Sequence, residues 1–273
     1  MEDTLLIRKG RGYMKCSEIM EKLEAIAPVS FAEDWDNVGF LVGRREKEVQ
    51  TVFIALDATD EVIDEAIEVG ADMILTHHPL IFKPLTRVNE DDFVGRRVVR
   101  LLQNDISYYA MHTNFDVKGM ADAAAEELGL LNPRILMFTS DEGGKLEGIG
   151  RYGKLKEVMS LAEYAAYVKE VFRLEYVNVY GDVETPINVA AISPGSGKSV
   201  QKAAVESGVD VLITGDVDHH MGIDLQAQGI CVIDAGHYGI EKIFVPYMKD
   251  FLKKELPSVQ ICMAEEKNPY ATL

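Results

Sequence analysis

Short apolar runs alternate with amphipathic stretches along most of this chain, the pattern of an α/β fold in which strands and helices follow one another. Cys16 to Ile26 keeps apolar residues at Ile19, Met20, Leu23 and Ile26, a helical period. Ser17 is a candidate N-cap there, and Pro28 ends the helix. Val52 to Asp57 reads as a buried strand, followed by a helix capped by Thr59 or Asp60, striped with Val62, Ile63, Ala66, Ile67 and Val69, and closed by Gly70. The chain returns as Asp72-Met73-Ile74-Leu75-Thr76, a strand apolar enough to be covered on both faces. A helix over Phe93–Asn104, a strand over Ile106–Met111 and a helix from Ala121 to Leu128 come next. The glycine- and charge-rich stretch from Ser140 to Gly153 is the expected boundary between halves. Beyond it the pattern predicts a helix over Leu161–Phe172 and strands over Tyr176–Tyr180 and Ile187–Ile192.

The second half echoes the first. Gly70-Ala71-Asp72-Met73-Ile74-Leu75-Thr76 matches Gly208-Val209-Asp210-Val211-Leu212-Ile213-Thr214, and Ile106–Met111 corresponds to Ile230–Ala235. A histidine with a carboxylate four residues on follows in each half: His112 with Asp116, and His237 with Glu241. The expected fold is therefore two similar α/β halves related by a pseudo-twofold axis, with mixed sheets flanked by helices. The expected division is a disordered extension over 1–13, a first half over 14–139 and a second over 140–273.

Two stretches invite other readings. Ala32 to Gly39 is polar and holds the one tryptophan of the sequence, as a surface turn anchored by Trp35 would. Ser193-Pro194-Gly195-Ser196-Gly197-Lys198-Ser199 resembles a phosphate loop, but Gly195 and Gly197 are too close for that spacing. It remains a glycine-rich turn that opens a helix and could offer backbone N–H groups to an anion.

Composition narrows the chemistry. With 47% hydrophobic and 27% charged residues over 273 positions, the chain is an ordinary globular one. A net charge of −17 argues against a broad nucleic-acid surface. No apolar run reaches membrane-spanning length, and Cys16, Cys231 and Cys262 lack paired spacing, which suits a reducing cytoplasm and supplies no thiolate metal site.

All six histidines (His77, His78, His112, His219, His220 and His237) fall at or just beyond expected strand ends, where α/β proteins collect ligands. Asp116, Asp216, Asp218 and Glu241 lie near them in sequence. Imidazole with carboxylate suits zinc, manganese, iron, cobalt or nickel. Five or more such ligands exceed one tetrahedral site and fit two divalent ions about 3.5–4 Å apart, which would activate a water. A histidine outside the ligand set, such as His112, His219 or His220, would then move protons or contact substrate.

Thr76-His77-His78-Pro79, His112-Thr113-Asn114-Phe115-Asp116, Thr214-Gly215-Asp216 with His219-His220, and Gly236-His237-Tyr238-Gly239-Ile240-Glu241 together resemble the Nif-three-like family, whose members are labelled GTP cyclohydrolase I type 2 homologues. Trp35-Asp36-Asn37-Val38-Gly39 fits as well, which weakens the surface-turn reading. The resemblance runs from about Met14 to Leu273 and implies a dinuclear site between two α/β parts and a ring-shaped homohexamer. It implies His77, His78, Asp116, His237 and Glu241 as metal ligands, with His112, His219 and His220 lining the site. Longer relatives carry an inserted domain for which this chain has no room. The function so implied is metal-dependent hydrolysis of a nucleotide-like or heterocyclic small molecule; the alternative is a non-catalytic metal-binding protein that regulates or recruits a partner.

Overall fold

The computed structural model describes residues 12–142 and 145–272. All but two residues of the expected N-terminal extension lie outside that range. The protein is a mixed α/β fold whose described residues divide into two compact units, one built from those up to 115 with 244–266, the other from those of 116–243 with those from 267 on.

In the first unit β1 (Met14–Lys15) leads into α1 (Cys16–Ile26). Ser17 lies inside this helix; its first turn is closed instead by Glu18, whose carboxylate accepts from Lys15 N at 2.7 Å. β2 (Gly39–Val42), β3 (Glu48–Val49) and β4 (Thr51–Ala55) follow. Next come α2 (Asp60–Glu68), β5 (Met73–Thr76), α3 (Phe93–Gln103), β6 (Ser107–Ala110) and the single turn α4 (Thr113–Phe115). Thr59 caps α2 by accepting from Val62 N, and Gly70 leaves it with φ +67°, as its sequence requires.

The second unit opens with a π-helical segment, Asp116–Met120, continued by α5 (Ala121–Glu127). The stretch expected as a boundary is instead part of a long hairpin of β7 (Leu131–Glu142) and β8 (Lys145–Ser160). Its glycines serve close strand packing there: a side chain at Gly148 would run into the backbone of Met137. Then follow α6 (Leu161–Val171), β9 (Asn178–Tyr180), β10 (Pro186–Ser196), α7 (Gln201–Ser207), β11 (Val211–Gly215), α8 (His219–Ala227), β12 (Cys231–Asp234) and α9 (His237–Glu241). The chain then rejoins the first unit as α10 (Phe244–Glu255) and β13 (Gln260–Met263).

Each unit has one main sheet. In the first the order is β13-β4-β5-β6-β2, parallel except for the edge strand β2. In the second it is β7-β8-β10-β11-β12-β9, with β10, β11 and β12 parallel and the outer strands antiparallel. β4, β5 and β6 are buried along their whole length, which explains why they read as continuous apolar runs rather than alternating ones.

The internal repeat reaches individual hydrogen bonds. In the first unit the Asp72 carboxylate accepts from Gln50 N and Thr51 N; in the second, Asp210 accepts from Asn188 N and Val189 N. At the other end of the same strands, Met111 N donates to Thr76 O and Ala235 N to Thr214 O. Corresponding strands are thus clamped at both ends in the same register.

Candidate metal centre

Three histidines converge in the first unit because β5 and β6 end side by side. Thr76 closes β5, and His77 and His78 follow at once. Their turn is pinned from below by the buried Tyr108 of β6, whose hydroxyl donates to His78 O and accepts from Leu80 N, both at 2.9 Å. Thr76 Oγ1 adds a bond to His78 O at 2.7 Å, and His78 N donates to Leu56 O. His112 comes just after β6. Each of the three offers a ring nitrogen within 4.8 Å of the others.

The three rings also share a hydrogen-bonding habit. His77 Nδ1 lies 2.7 Å from Met111 O, His78 Nδ1 2.8 Å from Asp57 Oδ1, and His112 Nδ1 2.9 Å from Asp36 Oδ1. An oxygen acceptor opposite Nδ1 selects the tautomer with its proton there, so each Nε2 carries the lone pair that a metal requires.

Asp36 sits in the tryptophan loop, and the structure corrects the reading of that loop. Trp35 points outward at 58% exposure, while Asp36 is the anchor. The Asp36 side chain is wholly buried and accepts from Thr113 N and Thr113 Oγ1 as well as from His112. Burial alone would raise its pKa, but these bonds outweigh it and hold the carboxyl at about 2.

The second unit holds His237, Glu241 and Asp116. His237 starts α9 and Glu241 ends it, one turn on, with Nε2 to Oε2 at 2.9 Å. His237 Nδ1 lies 2.8 Å from Asp216 Oδ2, an oxygen partner like those behind the rings of the first unit. Glu241 is only 2% exposed, and an oxygen of Asp116, first residue of the π-helical segment, lies within 4.8 Å of one of its own. π-helical turns are often found at functional sites.

The glycine-rich turn after β10 has a role that its sequence did not disclose. Gly195 adopts φ +71°, and a side chain there would collide with the Glu241 carboxylate. Its neighbour across the sheet, Gly215, lets the backbone at His237 approach just as closely. The turn therefore packs against a carboxylate of the protein itself, where an anion site had been conceivable. Strand β10 continues to Ser196, and α7 begins only at Gln201.

His219 and His220 open α8, stack edge-on at 5.3 Å, and are exposed. Among the described residues neither joins a cluster able to hold a metal. Cys16, Cys231 and Cys262 are free thiols.

A model of the family described as Duf34/NIF3 (NGG1p interacting factor 3) matches residues 14–269. The chain belongs to the DUF34/NIF3 family. Among its DUF34/NIF3 relatives, the GTP cyclohydrolase 1 type 2 homolog of Clostridium acetobutylicum is 39% identical over 250 residues, covering 91% of this chain and 93% of that protein. The protein of the same name from Clostridium perfringens is 38% identical over 94% and 99% of the two chains. The homolog from Halalkalibacterium halodurans aligns over 343 positions, more than the 273 residues here, so it carries sequence that this short form lacks. Among solved structures, a Bacillus cereus protein related to NIF3 superposes with TM-score 0.90 at 25% identity, over 96% of this chain and 99% of its own. A Staphylococcus aureus hypothetical protein gives 0.86 at 30%, over 96% and 100%.

The first unit thus presents three imidazoles with acceptors behind them, and the second an imidazole backed by Asp216 and a carboxylate kept from solvent, donor types that fit a divalent ion. Among the described residues no helix is long and apolar enough to cross a membrane.

Proposed function

We propose that this protein is a metal-dependent hydrolase of a nucleotide-like or heterocyclic small molecule, with His77, His78, Asp116, His237 and Glu241 as ligands of two divalent ions. The observation that carries the reading is the shared orientation of His77, His78 and His237, each held at Nδ1 by an oxygen so that Nε2 is the donor. A surface histidine has no need of such a partner. The names of the relatives point to the same class of reaction.

The metal pair, when bound, would supply an acidified water and a Lewis acid. The protein's own residues do the rest. Asp57, Met111 and Asp216 fix the ligand rings, and Glu241 brings a negative charge that burial has already stripped of water. His112, steadied by Asp36 and beside His77 and His78, is proposed to exchange a proton with substrate. His219 and His220 are left with substrate contact as their proposed part. The functional particle is proposed to be a homohexamer in the cytoplasm, as the family resemblance implies.

The reading is tested by incubating metal-loaded protein with GTP, a reduced pterin and a panel of phosphoesters, and following products by mass spectrometry. Metal-dependent addition of water to one of them, abolished in Asp116→Ala, is the expected result. Absence of turnover across the panel contradicts the enzyme and leaves the non-catalytic metal-binding role.

A further inference from the structure

Two large aromatic side chains stand exposed beside the three-histidine cluster of the first unit. Trp35 is 58% and Phe82 48% exposed, and their ring centres lie 5.7 Å apart with planes tilted by 48°. The His112 ring meets both of them edge-on, at 6.0 Å from Trp35 and 6.4 Å from Phe82. His112 is in turn 5.3 Å from His77 and 5.5 Å from His78. A continuous wall of π surface therefore runs from solvent to the imidazoles proposed as metal ligands.

The wall is held stiffly. Asn37 Nδ2 donates to Ile81 O at 2.6 Å, clipping the tryptophan loop to the segment that carries Phe82. Asp36, next to Trp35, is tied to His112 and Thr113, and Glu33 N donates to Thr113 Oγ1 at 2.9 Å. Bonds on both sides of Trp35 thus fix a large ring in water, where it gains little from burial. Exposed apolar surface on a fixed framework beside reactive groups is characteristic of a ligand site.

We infer that Trp35 and Phe82 form a stacking platform for a planar heterocyclic ring, whose edge would then face the imidazoles of His78 and His112. The inference rests on the function proposed above and specifies how that site selects its substrate. Recognition by stacking reads a flat π system and tolerates differences in ring substituents. The ligand class is therefore a small molecule built on a purine, pterin or similar fused ring, chosen by the ring and not by its phosphates.

Because Trp35 is the one tryptophan in the sequence, its fluorescence reports this site alone. The full-length, metal-loaded protein would be titrated with guanosine and with a hydroxymethylpterin, excited at the red edge of tryptophan absorption, with ribose 5-phosphate as the ring-free control. Saturable quenching by at least one flat ring and none by ribose 5-phosphate is expected. Phe82→Ala should weaken that binding roughly tenfold, in line with the loss of one stacking partner, while Phe93→Ala, an exposed ring on α3, should not. Calorimetry keeps the test open where fluorescence is lost: Trp35→Ala should weaken binding about tenfold and Trp35→Phe should retain most of it. No saturable binding of either ring, equal binding by Phe82→Ala, or a Trp35 that acrylamide cannot reach because a second copy covers it would each overturn the inference. Metal content measured on the same samples separates the two readings. Metal bound without ring binding removes only the platform, and ring binding without metal removes only the hydrolase.

Discussion

Asp36 shows how one side chain can set the state of another. Its carboxyl ionises at about 2 in the folded protein against a usual 3.8, so the charged form favours the fold. That contribution, about 2 kcal/mol, is complete above roughly pH 4 and disappears as the pH falls towards 2. Asp36→Asn should therefore lower stability by about that amount at pH 7, and the gap between variant and wild type should close in melts recorded near pH 2. Gly195 acts differently, through the space it leaves. Gly195→Ala forces a Cβ into the Glu241 carboxylate from a left-handed backbone position, so metal affinity should fall at least tenfold while circular dichroism stays native. An unchanged affinity would mean that Glu241 can move aside without cost. His77 and His78 were legible in the sequence because a buried strand runs directly into them. Asp36 stood out only as part of the Trp35–Gly39 motif, and its pairing was not legible, since its partner His112 is 76 residues further along. The link between Gly195 and Glu241 was hidden for the same reason.

At the level of elements, periodicity carries information only where one environment persists along a strand or helix. β4 and β5 have that property, and their positions followed from apolar runs, while β11 and β12 followed from the internal echo of the first half. The β7–β8 hairpin does not, because its exposed residues, glycines and charges mimic a linker, and so the division of the chain was expected too late. The repeated aspartate clamp was visible as matching Asp72 and Asp210, but its purpose required the strand ends to be seen. Replacing either by alanine leaves two backbone N–H groups without their acceptor, at a cost of about 1–3 kcal/mol. Asp72→Ala should cost more than Asp210→Ala. Asp72 also faces the buried Lys47, whose Nζ lies 3.7 Å from Asp72 Oδ1 and bonds Asp72 O at 3.0 Å. Urea denaturation of the two variants ranks them, and a larger loss in Asp210→Ala would contradict this account.

For the whole molecule, the chain belongs to the DUF34/NIF3 family, and the same aspartate clamp and strand-end hydrogen bond recur in its two units. After the matching stretches that end at Thr76 and Thr214, the first unit carries His77-His78 and the second Gly215-Asp216, so the repeated segments differ in chemistry. Each half presents imidazole nitrogens oriented by oxygen acceptors. The central claim is that these imidazole and carboxylate donors bind divalent metal, and elemental analysis of the gently purified and then reconstituted protein tests it most directly. About two first-row divalent ions per chain are expected in the wild type, with most of that lost in His78→Ala and also in the size-matched Glu241→Gln, while both variants remain folded. A wild type that takes up no such metal, or a Glu241→Gln protein that binds as much as the wild type, would contradict it.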